Sequence, residues 1–443
     1  MSDTAPAMTG SASVPERWNL AKRTLFRFAF VYLLLYCWPD AGRASIFDAI
    51  PNFGLGAMND DGSKLTKLAE APWHALCVWV GAHVFHLQGA AAHYHPTGSG
   101  DTALDYVFVF CVVLIAALVT IVWTIFDRRR ANYRTLYAWL RLLVRFTLAL
   151  TLLTYGFAKV YPLQFMPPFM TTLTQTYGES SPMHLLWTFM GASTAYTKFC
   201  GLAEATAGVL LLFRRTTVMG ALIAAAAMLN VAALNFCYDV PVKLYSMHLV
   251  LMSLFLLLPD ALALIGLFFF NRPARLEGIR LPRFERRWMR TGAVVLQAVV
   301  VTSVLYNNVW GGYRSLKQAD ATYLKHAPLY GVWDADSFTA DSPGVSWREL
   351  AIDMPGWMYL RDVNGGRYFY QATYNEGKRI LTLDSKQSKQ QGSFAYERPD
   401  ADHLVLHGTL NGKPAAAQFH RVDGHYLLTT RGFHWVSEYP FNR

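Results

Sequence analysis

Residues Val107–Phe126 read VFVFCVVLIAALVTIVWTIF, a run with no charged side chain. Wound as an α-helix, such a run is about 30 Å long, which matches the hydrocarbon core of a bilayer. No polar stripe recurs at helical period, so the segment cannot lie half-exposed on a soluble protein. Working outward, comparable runs occur at 20–38, 136–158, 195–213, 217–236, 244–258 and 289–308. With 104–126 they predict an α-helical bundle of about seven membrane spans. An eighth segment, Trp73–Leu87, is short and carries His74, His83 and His86. It is expected to lie re-entrant or interfacial on the outer face.

Composition agrees with this reading. The 443 residues are 53% hydrophobic and only 16% charged, against about 25% charged in soluble chains. Residues 1–17 are small and polar and read as a disordered tail. The first apolar run follows Lys22, Arg23 and Arg27 and leads to no small-residue cleavage site, so an uncleaved span is expected.

The net charge of +10 could suggest a polyanionic partner. Residues 325–443 hold 13 basic and 13 acidic side chains, so the whole excess lies in 1–324. Lys and Arg collect in cytoplasmic loops. With the N-terminus inside and 73–87 not crossing, the cytoplasmic pieces carry 17 basic and 6 acidic residues, and the outer pieces of 1–324 carry 8 and 10. Those cytoplasmic pieces include Arg128–Arg130, Arg214-Arg215 and seven arginines in 259–290. The predicted orientation is therefore N-in and C-out, in a bacterial inner membrane. No nucleic-acid partner is expected. Arg141 and Arg145 are expected to snorkel to headgroups.

After the helical domain at 18–312, Gly311-Gly312 is expected to break the last helix. Residues 325–443 then form short alternating runs: 347–353, 356–362, 367–373, 379–384, 392–397, 403–409, 415–421 and 425–430. Asn364-Gly365, Asn411-Gly412 and Asp423-Gly424 read as hairpin turns. An all-β extracytoplasmic domain is predicted, a meander barrel or a sandwich. Trp333, Trp347, Trp357 and Trp435 are expected in its core.

Ionisable groups inside spans point to function. Lys159 closes one span, Glu204 sits midway along the next, and His248 lies in a third. Asn235, Asp239 and Lys243 flank an outer turn. Lys159, Glu204 and His248 are the candidate catalytic residues, and Asn235, Asp239 and Lys243 the candidate cofactor-binding ones. A buried Lys–Glu pair with capping amides would explain the same residues as packing. His83, His86, His93 and His95 are weak metal candidates, His83 and His86 being spaced to share a helical face. Asp101 or Ser99 is expected to cap the span at 104. The five cysteines include no C-x-x-C and read as small apolar residues. An oxidising periplasm would also permit Cys37–Cys77 or Cys200–Cys237 bridges. No haem, flavin or iron–sulfur motif is present.

Gly156-x-x-Lys159 ending one span, Gly201-x-x-Glu204 in the next, the Leu211–Arg215 turn and the closing Leu258-Pro259-Asp260 resemble the DoxX-like membrane proteins. The resemblance covers about 136–260, and the whole layout is similar to a long variant with extra N-terminal spans and a C-terminal β domain. It implies a connection to quinone. More distantly the layout resembles the vitamin K-dependent carboxylase group, but the sequence around Lys159 departs from that group and carboxylation is not expected. The expected function is a quinone-interacting oxidoreductase component, with Lys159 and His248 bonding quinone oxygens and Glu204 moving the proton. Its partners would be membrane lipid and a periplasmic redox subunit. The alternative is a non-enzymatic assembly or maturation factor that docks partners on its β domain. A transporter is disfavoured by the lack of an inverted repeat.

Overall fold

The structure is a computed structural model that describes residues 17–37, 64–94, 97–276, 286–322, 325–341, 346–422 and 424–442. The expected tail (all but residue 17), His95, Asp423, Arg280 and Arg283 lie outside the described residues. Two compact units emerge, 1–155 with 203–308, and 156–202 with 309–443.

The helices are α1 (Leu20–Cys37), α2 (Lys64–His83), α3 (Ala103–Phe126), α4 (Arg134–Val160), α5 (Met170–Leu173), α6 (Pro182–Ala192) and α7 (Thr194–Leu212). They continue as α8 (Thr217–Cys237), α9 (Lys243–Leu257), α10 (Ala261–Phe270), α11 (Arg287–Tyr306), α12 (Gly312–Thr322) and α13 (Leu427–Thr430). Among the described residues, five helical stretches are long and apolar enough to cross a membrane: Ala103–Phe126, Arg134–Val160, Arg214–Cys237, Lys243–Phe270 and Arg287–Ala321. Helices also form at the other two expected spans, α1 and α7. Charged Lys22, Arg23 and Arg27 in one, and Lys198 and Glu204 in the other, keep them out of that set.

Two expected helix ends are corrected. Helix α9 runs on through a 3-10 turn at Leu258–Asp260 into α10, because Pro259 opens that turn and so removes no needed N–H. Gly311-Gly312 does not break the last helix either. A π turn at Asn307–Gly311 joins α11 to α12. In the second unit the Tyr161 hydroxyl donates to Val309 O at 2.9 Å. Gly312 lies flat on the Tyr161 ring, where a β-carbon would collide.

The first unit packs by small residues. Gly220, Ala221, Ala224, Met228, Ala232 and Asn235 of α8 are buried in a stripe at helical period, while Met219, Leu229 and Phe236 face outward. Exposed apolar faces with small-residue interfaces are the pattern expected in lipid. Helix α1 is tied to the α3–α4 turn by its arginines. Arg27, 1% exposed, donates to Tyr133 Oη, Thr124 Oγ1 and Asp127 O at 2.6 to 2.9 Å. Tyr133 in turn donates to Asp127 Oδ2 at 2.9 Å.

The second unit contains a closed antiparallel barrel. Its strands are β1 (Gly331–Ala340), β2 (Trp347–Ile352), β3 (Gly356–Asp362), β4 (Arg367–Asn375), β5 (Ile380–Ser385), β6 (Gln390–Glu397), β7 (His403–Leu410) and β8 (Lys413–Arg421). Each pairs with the next, and β8 closes on β1. Seven strands fall where alternation predicts them. The eighth is β1, which the alternation misses because a bulge between Ala335 and Ser337 puts Phe338 out of phase with Trp333. Residues 427–430 form α13 instead of a strand. At the β7–β8 turn both Asn411 and Gly412 adopt positive φ, 51° and 76°, as a two-residue hairpin of that sequence requires. Trp333 and Trp347 are core, together with Tyr370, Phe394 and Phe419. Trp357 and Trp435 are not, being 45% and 92% exposed. The barrel interior is filled by side chains.

Candidate functional site

Helix α9 begins on a carboxylate. Asp101 accepts from the amides of Lys243 at 2.7 Å and Leu244 at 3.0 Å, and Gly100 N donates to Pro241 O at 2.7 Å. Asp101 therefore caps α9, and the expectation that it or Ser99 caps the 104 span is corrected. Thr102 takes that role, in a reciprocal box with Asp105. The reason is local: Thr102 stands three residues before Asp105, whereas Asp101 is left free to reach another helix.

Three of the candidate cofactor-binding residues meet in the α8–α9 turn. Asn235 is buried and its Nδ2 donates to Val242 O at 3.4 Å. Asp239 sits exposed at φ 51°. Lys243 Nζ bonds Asp239 Oδ1 at 2.8 Å and stands 3.9 Å from Asp101. These groups hold the entry to α9.

His248 lies one turn further in and is 7% exposed. Its Nδ1 is 2.6 Å from Leu244 O. A carbonyl only accepts, so this nitrogen carries a proton and the neutral ring leaves Nε2 as an acceptor. Tyr32 Oη meets Nε2 at 2.5 Å. The Tyr36 ring stacks on the imidazole at 3.8 Å between centroids and 4° between planes. Phe28, Tyr32 and Tyr36 form a stacked ladder along α1. Tyr32 and Tyr36 were not among the expected site residues. Their spacing, four apart on the same helix face as Phe28, is the signal that could have found them.

Glu204 belongs to this first unit and is 3% exposed. Nearby on α7, a β-carbon on Gly208 would lie 2.8 Å from Leu153 Cγ, so α4 and α7 approach closely there. Lys159, 7% exposed, belongs to the second unit. There a β-carbon on Gly201 would lie 2.7 Å from Lys159 Cβ. Glycine at 201 is what admits the end of α4.

The histidines do not share a face. Helix α2 ends at His83, and His86 takes φ 54° with Leu87 N bonded to Gly81 O at 2.9 Å. That is a left-handed helix terminus, which turns His86 away from the helical repeat. His83 Nδ1 bonds Trp79 O at 2.8 Å. His93 lines a cavity of about 270 Å³ with Tyr94, Ser99, Thr102 and Asp105. Among the described residues no three His, Cys, Asp or Glu side chains converge as metal ligands. All five cysteines are free, so neither permitted bridge is formed. Cys77 and Cys111 are instead buried in the apolar cluster between α2 and α3.

In the second unit, the segment after α4 docks on the barrel through charge. Asp353 accepts from Met170 N at 2.5 Å and Thr171 N at 3.2 Å. Burial pushes its carboxyl above the usual range despite those bonds. Arg361 donates to Thr174 O at 3.0 Å and pairs with Glu179 at 3.3 Å. Arg367 donates to Thr171 O at 2.5 Å.

Comparison with known proteins finds a curated relative 35% identical over 133 residues, which are 28% of this chain and 79% of the relative. That relative is the Uncharacterized protein YwoB of Bacillus subtilis (strain 168). The chain belongs to the YwoB family. No family model matches, and no solved structure does. Membership in the YwoB family thus carries a relationship and no stated activity.

Proposed function

We propose that the protein is an integral inner-membrane, DoxX-like component that interacts with quinone and takes part in its oxidation or reduction. The observation that carries this reading is the buried His248 ring, stacked on Tyr36 and hydrogen-bonded to Tyr32. Apolar helices and the basic bias of the inferred cytoplasmic loops support seven spans, N-in and C-out, with the barrel in the periplasm.

The donor set fits a quinone ring. Aromatic rings along α1 suit a planar ligand, and Tyr32 Oη, with its hydrogen given to His248 Nε2, keeps lone pairs that accept from a quinol hydroxyl. A quinone–quinol couple exchanges two electrons together with two protons. Within the chain, Leu244 O holds the Nδ1 proton and so fixes the tautomer. Nε2 then accepts a proton through Tyr32 Oη and returns it by the same route. Glu204, buried in the same unit, is the carboxylate proposed to carry the second proton of the couple. Electrons come from a periplasmic redox partner subunit, because the chain carries no motif for an electron-carrying group.

The test is redox titration of purified protein with a water-soluble quinol and the partner-free membrane extract as controls. Turnover or bound quinone should fall about 100-fold in Tyr32→Phe and in His248→Gln. Lys159→Ala and Glu204→Ala test the other two residues separately. If no quinone co-purifies and added quinol keeps its redox state, the reading fails.

The assembly-factor reading is favoured by one observation, the filled barrel interior, which offers partners an outer surface and no cup. Removal of 325–443 with Lys159 and Glu204 intact would abolish that function, whereas Lys159→Ala and Glu204→Ala would not.

A further inference from the structure

The expectation that Arg141 and Arg145 snorkel is wrong. They are 4% and 1% exposed. Arg141 Nη2 donates to Leu256 O at 3.1 Å, and Asp260, one turn beyond Leu256, is buried too. Arg145 is different. Among the described residues its buried Nε and Nη1 meet no hydrogen-bond partner. The charges that act on it are Arg141 and Arg214, both of its own sign. Its ring neighbour is Phe146, at 4.8 Å from the guanidinium carbon.

Capping of α7 does not account for it. The last carbonyls of α7 and the residue after it already have neutral donors. Leu210 O accepts from Thr216 Oγ1 at 2.6 Å, Leu212 O from Gln297 Nε2 at 3.2 Å, and Phe213 O from Thr217 Oγ1 at 3.0 Å. A buried guanidinium without an acid or a carbonyl costs several kcal/mol in apolar surroundings. Two further guanidiniums of like charge raise that cost. An anion with several acceptor oxygens removes it, and guanidinium forks match phosphate geometry. Arg214, exposed at the turn between α7 and α8, gives such an anion a way in.

We propose that Arg145, with Arg141 and Arg214, binds a phosphate-class anion at this end of α4 and α7. Two sources share that chemistry: the phosphodiester of an acidic phospholipid and free inorganic phosphate. This site is independent of the quinone reading and lies on other residues.

The test uses the full chain, purified in mild detergent and stripped of lipid. Phosphatidylglycerol, phosphatidylcholine and inorganic phosphate are added separately, and thermal unfolding and native mass are recorded. Phosphatidylglycerol or inorganic phosphate is expected to raise Tm and to bind once per chain. Phosphatidylglycerol alone assigns the lipid, and inorganic phosphate alone assigns the free ion. Arg145→Met should weaken that binding at least about tenfold, Arg145→Lys less, and Arg129→Gln in the exposed α3–α4 loop not at all. Should Arg145→Met fail to fold, Arg214→Gln is expected to weaken binding several-fold on a folded protein. The proposal is overturned if neither anion shifts Tm, if phosphatidylcholine shifts it equally, or if binding survives unchanged in Arg145→Met or, where that fails to fold, in Arg214→Gln.

Discussion

Arg27 and Arg145 are both 1% exposed in the same helical unit, yet their surroundings are opposite. Arg27 spends its donors on Tyr133, Thr124 and Asp127 O, and its charge lies next to the Asp127–Tyr133 pair. Arg145 has two buried N–H groups without partners among the described residues, and two like charges for neighbours. The first arrangement is a completed tie between α1 and the α3–α4 turn. The second is a buried cation that meets no acid among the described residues. Burial of a cation therefore says little until its acceptors are counted, since a paired charge locks packing and an unpaired one calls for a ligand.

Mutation should separate the two cases by sign. Arg27→Ala strands Tyr133 and the Asp127 carbonyl and should destabilise the protein by about 3 kcal/mol, seen as a large fall in Tm in detergent. Arg145→Met in the lipid-stripped protein should do the reverse and stabilise it by about 1 to 2 kcal/mol, because a buried uncompensated charge is removed. If both variants lose stability equally, Arg145 is a structural tie and the contrast collapses. Between these extremes, Asp101→Asn keeps an acceptor at the start of α9 but loses its charge, and should cost about 1 kcal/mol. Because α9 carries His248, the same variant should also shift any quinone-binding signal.

The smallest effect belongs to an exposed cation. His403 Nδ1 sits 2.9 Å from Asp400, both about half exposed. The carboxylate raises the His403 pKa, and the imidazolium lowers that of Asp400. The stability from His403 is then fully present below its unfolded value near 6.5, and is lost as pH rises through the higher folded value. That from Asp400 is present above its unfolded value near 3.9 and lost as pH falls through the depressed one. Asp400→Asn should lower the His403 midpoint in an NMR titration, with almost no change in Tm. A large Tm change would mean that exposed and buried cations here do not differ as argued.

Much of the fold could be read along the chain, for reasons visible in particular residues. Val107–Phe126 has no charge to offer water, and strands such as β6 alternate buried and exposed without a break. Strand β1 escaped because the bulge between Ala335 and Ser337 shifts the phase of the alternation within the strand. The helix through Gly311-Gly312 escaped because a π turn and the Tyr161 ring absorb both glycines. Of the candidate site, His248 was visible as an ionisable group in a span. Its partners Tyr32 and Tyr36 were not, since they lie more than two hundred positions away in an unremarkable aromatic helix.

The sequence by itself determined that the chain carries helices apolar enough to cross a membrane, followed by a β domain, because hydrophobic period and charge count depend only on neighbours along the chain. Tertiary structure alone decided that Asp101 serves α9, that Tyr32 serves His248, and that Arg145 meets no acid among the described residues. Those are questions of which acceptor a donor meets after folding. Residues far apart in sequence answer them, and no local pattern records the pairing.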